Sequence, residues 1–92
     1  MVYSMLSLIA YKAFVSGFVN EHMTRKGISP DKMAKDAELD TPFVKLIMGG
    51  QISASYITRE KIMKGLHLTA EERAEFCKRT NHEGLVDWNT NE

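Results

Sequence analysis

The chain is expected to fold as an all-α domain, and three observations carry that expectation. Helix-starting chemistry recurs at Ser29-Pro30, at Thr41-Pro42 and at Thr69-Ala70-Glu71-Glu72. Glycines at Gly27 and at Gly49-Gly50 interrupt the chain between such starts, as they do where helices end. No stretch sustains the period-two alternation that a half-buried strand needs. The chain has 92 residues, 43% of them hydrophobic and 26% charged, with only two prolines and six glycines. That composition suits one small globular domain and argues against disorder or a collagen-like repeat.

Helices are expected near residues 3–26, 30–37, 42–48, 56–66 and 70–79. The first is apolar around most of its circumference: fourteen of residues 1–19 are apolar, and Lys12 is their single charge. Lys12 and the serines at 4, 7 and 16 argue against a membrane span, which needs about 20 uninterrupted apolar residues. A secretory signal would carry a positive leading segment, which this stretch lacks. A helix of this kind needs burial on several sides. A dimer interface through Leu6, Ile9, Ala13 and Phe14 answers that need, and an intrachain core is the alternative.

The second and third helices start alike, each with a capping hydroxyl (Ser29, Thr41) before a proline, whose missing N–H costs nothing in a first turn. Thr69 and Glu72 form a capping box for the fifth. Ala37-Glu38-Leu39-Asp40 makes a tight connection between helices two and three, so the pair is a helix-turn-helix candidate. Met33, Ala37 and Leu39 would face inward from the first member and the turn, and Val44 and Ile47 from the second.

From about Phe18 to Phe76 the chain resembles the Cro and phage-repressor type of helix-turn-helix domain, the XRE family. Gly27 to Ala37 looks like that family's second helix: a glycine, a cap, then an aliphatic–alanine pair at Met33-Ala34. Thr41 to Gly50 is similar to its recognition helix with a closing glycine, and Ile62 to Leu68 to its fourth helix and exit. The resemblance implies a five-helix Cro/repressor-like domain over residues 1–79. Residues 1–17 would form an apolar N-terminal extension for dimerisation, and 80–92 a polar tail containing Trp88. It also implies a small transcription regulator that reads double-stranded DNA in the major groove as a homodimer. The groove-facing positions carried over are Thr41, Pro42, Phe43, Lys45 and Leu46. The Ser29 and Thr41 helix N-termini, Gln51, Ser53, Ser55 and Tyr56 would serve the phosphates.

Charge weighs against strong DNA binding. Lys plus Arg and Asp plus Glu both number 12. By segment, residues 1–26 carry +2, residues 27–50 carry −1 and residues 51–92 carry −1. Phosphate neutralisation supplies most nonspecific affinity, so such a reader would bind with a shallow salt dependence. Apart from Thr41 and Lys45, the groove-facing residues are apolar and cannot pair bidentately with a base edge. Glu38 stands where the family favours glycine, which costs about 1 kcal/mol if its backbone is left-handed. The competing reading is a helix-turn-helix fold used for protein recognition. A repressor, polymerase subunit or toxin would then dock through Phe43, Leu46 and Ile47.

Other functions find little support. His22, His67, His82 and Cys77 follow no zinc spacing, so no metal and no cofactor is expected. His67, near a helix end, is expected to cap carbonyls or meet the helix dipole. Cys77, the single cysteine, is expected to be a small buried hydrophobe, and its solitude suits a reducing cytoplasm. No phosphate loop or nucleophile motif marks an enzyme. The charged run from Glu71 to Arg79 reads as a solvated face with internal pairs. Trp88 is either docked or left for a partner.

Overall fold

Local chemistry sets most of the helix ends. A computed structural model of the chain describes the backbone of residues 2–80 and the side chains of residues 8–80. It is all-helical, with α1 (Val2–Lys26), α2 (Pro30–Ala37), α3 (Thr41–Met48), α4 (Tyr56–Gly65) and α5 (Ala70–Thr80), and no strand among the described residues. Among these residues no helix is long and apolar enough to cross a membrane. Leu6 of the expected dimer face, as a side chain, and the tail with Trp88 lie outside the described residues.

Ser29 caps α2 by accepting the Lys32 backbone N–H at 3.1 Å. The Thr69–Glu72 box closes both ways, at 3.0 and 3.1 Å. The cap expected at Thr41 is displaced by one residue. Asp40 is the N-cap of α3 and makes no side-chain cap bond, while the Thr41 hydroxyl, inside the first turn, donates to Asp31 Oδ1 at 2.9 Å. Helix α5 runs one residue beyond the expected end, and buried Thr80 donates back to the Phe76 carbonyl at 2.7 Å.

The core gathers Val15, Val19, Met33, Val44, Ile47, Ile62, Leu66 and Phe76, all essentially inaccessible. Helix α2 packs against α3 and α4, and α1 against α3 and α5. Phe14 is largely committed to this core rather than to an outer face. It is half-buried, its ring 5.6 Å from Phe18 and 6.1 Å from Phe76, with the Arg79 guanidinium 4.4 Å above it. Cys77 is buried and its thiol donates to Met63 Sδ at 3.7 Å.

Two charged clusters tie helices together. At the α1–α5 junction, Glu72 receives Lys26 Nζ at 2.7 Å and Arg25 Nη2 at 3.2 Å, with His22 Nδ1 3.9 Å away. Arg73 reaches Glu60 of α4 at 3.1 Å, so the charged face of α5 pairs mostly with other helices. Among the described residues Arg79–Glu75, at 3.8 Å, is the one ion pair internal to it. Lys26 also donates to the Leu66 and His67 carbonyls, at 3.1 and 3.3 Å. It thereby caps the C-terminus of α4, the role expected of His67. His67 itself has a left-handed backbone (φ 53°), and its Nε2 lies 2.8 Å from Asp36 Oδ2.

These clusters set an acid sensitivity with a defined sign. Lys26 and the Thr69 N–H, as hydrogen-bond donors, pull the Glu72 carboxyl from 4.5 to about 2. Lys32 and then His67 do the same for Asp36, from 3.8 to about 2. Burial lowers His22 below its ordinary 6.5, against the opposing pull of Glu72. In each case the unfolded chain binds the proton first as pH falls, so stability falls with it. The His22 contribution is lost from 6.5 downward, and those of Glu72 and Asp36 between about 4.5 and 2. The urea midpoint should therefore decline in two stages on acidification. Glu72→Gln should flatten the lower stage and His22→Gln the upper. A midpoint unchanged from about pH 7 to about pH 3 would contradict this linkage.

Candidate nucleic-acid interface

The turn between α2 and α3 is built on Glu38, whose left-handed backbone (φ 60°, ψ 45°) sends its N–H back to the Ala34 and Lys35 carbonyls. Leu39 N–H then bonds to the Ala34 carbonyl at 2.8 Å. A residue with a Cβ costs about 1 kcal/mol in that conformation. The side chain is used elsewhere: its carboxylate takes Lys64 Nζ at 2.8 Å, which holds the acid below its usual range. The carboxylate at the turn is therefore paired.

Helix α3 leaves this turn with two different faces. Val44 and Ile47 are sunk in the core, Phe43 and Met48 pack half-buried against it, and Pro42, Lys45 and Leu46 are exposed. Leu46 keeps 40% of its surface in water. Of the expected reading positions, the structure thus puts Lys45, Leu46 and Pro42 on one outer face and draws Phe43 toward the interior. Thr41 is half-buried and bonded to Asp31, so its hydroxyl proton is already committed.

The C-terminal end of α3 is fastened to α1. Ser16 Oγ and Asn20 Nδ2 both donate to the Met48 carbonyl, at 2.5 and 2.9 Å. Asn20 has no part in the sequence reading, and Ser16 enters it only as an argument against a membrane span. Their signal is a polar pair four residues apart beside the apolar run of α1, the spacing that puts two side chains together.

After Gly50 (φ 70°) the chain runs through exposed Gln51 and Ser53 to buried Ala54. The Ala54 carbonyl accepts Tyr11 Oη at 2.6 Å and Arg59 Nη1 at 2.8 Å. Arg59 also donates to Tyr11 Oη at 2.6 Å, and it is 97% buried by its 3% exposure. Sequence reasoning missed Arg59, although it occupies the stripe of Ile62, Met63 and Leu66, where helical spacing places buried residues. Ser55 caps α4 by accepting the Thr58 N–H at 3.3 Å, with Tyr56 and Ile57 exposed beside it.

The charge around α3 is mixed. Asp31 and Asp40 lie at its N-terminal end, while Lys32 is held by Asp36 at 2.8 Å. Lys35 and Lys45 are exposed and make no ion pair among the described residues. In those residues no group of three His, Cys, Asp or Glu side chains is placed to hold a metal ion. No family model, curated protein or solved structure matches the chain.

Proposed function

We propose that the chain is a small DNA-binding regulator of the Cro/repressor helix-turn-helix type. It acts as a homodimer joined through α1 and reads the major groove with α3. The observation that carries this reading is α3 itself. It is a two-turn helix behind a tight left-handed turn, anchored by Val44 and Ile47, with Lys45 and Leu46 turned to solvent. Lys45 supplies the charge, to a phosphate or a guanine edge, and Leu46 suits a thymine methyl group. The capped N-termini of α2 and α4, with Ser53 and Gln51 between α3 and α4, offer neutral hydrogen bonds to phosphates.

Selection from randomised duplexes, followed by anisotropy titration, tests the reading. Binding should be sequence-selective with a shallow salt slope. Lys45→Ala should weaken it about tenfold and lower that slope by about one. A folded chain that selects no sequence at low salt would overturn the proposal.

The carboxylates at the start of α3 and the commitment of Thr41 to Asp31 favour a second reading, in which this face binds a protein. A complex that survives nuclease treatment and is lost in Leu46→Ser would support it. Phe43 is unsuitable for that test, because it packs against the core.

A further inference from the structure

The two ends of α3 differ in charge. At its start stand Asp31 and Asp40, and the Thr41 hydroxyl is already given to Asp31, so that end repels an anion. At its far end a groove of about 560 Å³ opens between α1 and the Gly49-Gly50 pair. Lys12 is the one charged residue lining that groove, and it makes no ion pair among the described residues.

The last four carbonyls of a helix carry partial negative charge and ordinarily disfavour an anion. In α3 all four are taken. The Lys45, Leu46 and Ile47 carbonyls accept the backbone N–H groups of Gly49, Gln51 and Gly50, each at 3.0 Å. The Met48 carbonyl accepts Ser16 Oγ and Asn20 Nδ2. These donors offset much of the negative charge that would otherwise face the groove.

The glycines leave the groove open. Gly50 lies against α1, where an added Cβ would stand 3.6 Å from Ser16 Cβ and 3.8 Å from the Lys12 carbonyl oxygen. A Cβ at Gly49 would stand 3.5 Å from Gln51 Oε1, so the Gln51 amide reaches the same place. Exposed Lys45 is four residues before Gly49 and shares its face of α3. Lys12, Lys45 and Gln51 are thus gathered about two residues that have no side chain of their own.

We infer that this groove seats a phosphate of the DNA backbone, with Lys12 as its charge and the Gln51 amide as a neutral donor. The inference rests on the proposed DNA-binding reading and adds to it a contact from α1, outside the helix-turn-helix pair. A strand of sugar and phosphate can come close to Gly49 and Gly50 because no Cβ stands in the way. The cation without an acid beside it favours a polyanion over an apolar occupant. With Lys45 and Lys12 following one another along the surface, DNA lies toward the C-terminal end of α3, away from Asp31 and Asp40.

Salt titration of the full chain on its selected duplex tests the seat. Lys12→Gln should weaken binding about tenfold and lower the salt slope by about one, alike for cognate and noncognate duplexes. Lys12→Arg keeps the charge and should restore the slope. Lys78→Gln makes the same charge change on α5, which packs on α1, and should leave the slope as it is. Gly49→Asp sets a carboxylate beside the lysine and should cost at least as much as Lys12→Gln, with urea melts confirming that each variant folds. Lysine methylation read by mass spectrometry should find Lys12 reactive in the free chain and shielded by DNA. An unchanged slope in Lys12→Gln, or Lys12 shielded before DNA is added, would overturn the phosphate seat. The second result would put another copy or the chain's own tail in the groove. Either leaves the DNA-binding reading standing, whereas a folded chain that binds no duplex overturns both.

Discussion

Gly65→Ala should destabilise the domain by about 1–2 kcal/mol, although alanine is the better helix former. At an open helical site the substitution gains up to about 1 kcal/mol. Here the added Cβ would lie 2.7 Å from Ala37 Cβ and 2.9 Å from the Met33 carbonyl oxygen. Both neighbours belong to α2, and one is backbone, so no side-chain rotation relieves the contact. The helices must separate, and overpacking of that kind costs about 1–3 kcal/mol, enough to exceed the propensity gain. Urea unfolding measures the result. Gly65→Ala combined with Ala37→Gly should recover only part of the loss, because the Met33 carbonyl remains in the way. An unchanged midpoint in the single variant would mean that α2 and α4 are less closely apposed than described.

Phe76→Ala should have the largest effect of any single truncation in the chain. The ring is fully buried, 4.7 Å from Phe18, and it is the largest of the inaccessible side chains. Removing such a ring costs about 3–5 kcal/mol, the lost transfer energy plus the cavity. A chain of this length has roughly 5–14 kcal/mol in all, so between a fifth and all of its stability depends on one residue. Phe76→Leu keeps most of the volume and should cost less than about 1.5 kcal/mol. Thermal and urea melts of the pair give the comparison. A loss below about 1 kcal/mol for the alanine variant would contradict the packing of α5 on α1.

What could be foreseen from the amino-acid order, and what could not, follows from how far each interaction reaches. The caps at Ser29 and Thr69 act within three residues, so their chemistry is visible locally. Thr41 looks the same in sequence, yet Asp31, ten residues away, takes its hydroxyl. His67 sits beside a helix end as expected, but its left-handed backbone turns the ring to Asp36, and Lys26 reaches the carbonyls from 40 residues away. The inward residues of α3 follow from helical period alone, since Val44 and Ile47 are three apart. The charge of its surroundings does not, because it depends on which lysines find distant partners. Lys64 takes Glu38 across 26 residues, whereas Lys45 finds none among the described residues. Arg59 and Tyr11 meet across 48 positions, and only the place of Arg59 on an apolar stripe hints at its burial.

The double hold of Ser16 and Asn20 on the Met48 carbonyl turns α1 into a lever. In the proposed homodimer the copies meet at the exposed part of α1 around Ile9, about 16 Å along the helix from Asn20. A change of roughly 10° in the angle between two α1 rods would therefore swing each fastened end of α3 by roughly 3 Å. Two-fold readers need their paired helices one turn of DNA apart, about 34 Å. In the proposed homodimer, the angle at which two copies meet would then set which operator spacing they could straddle.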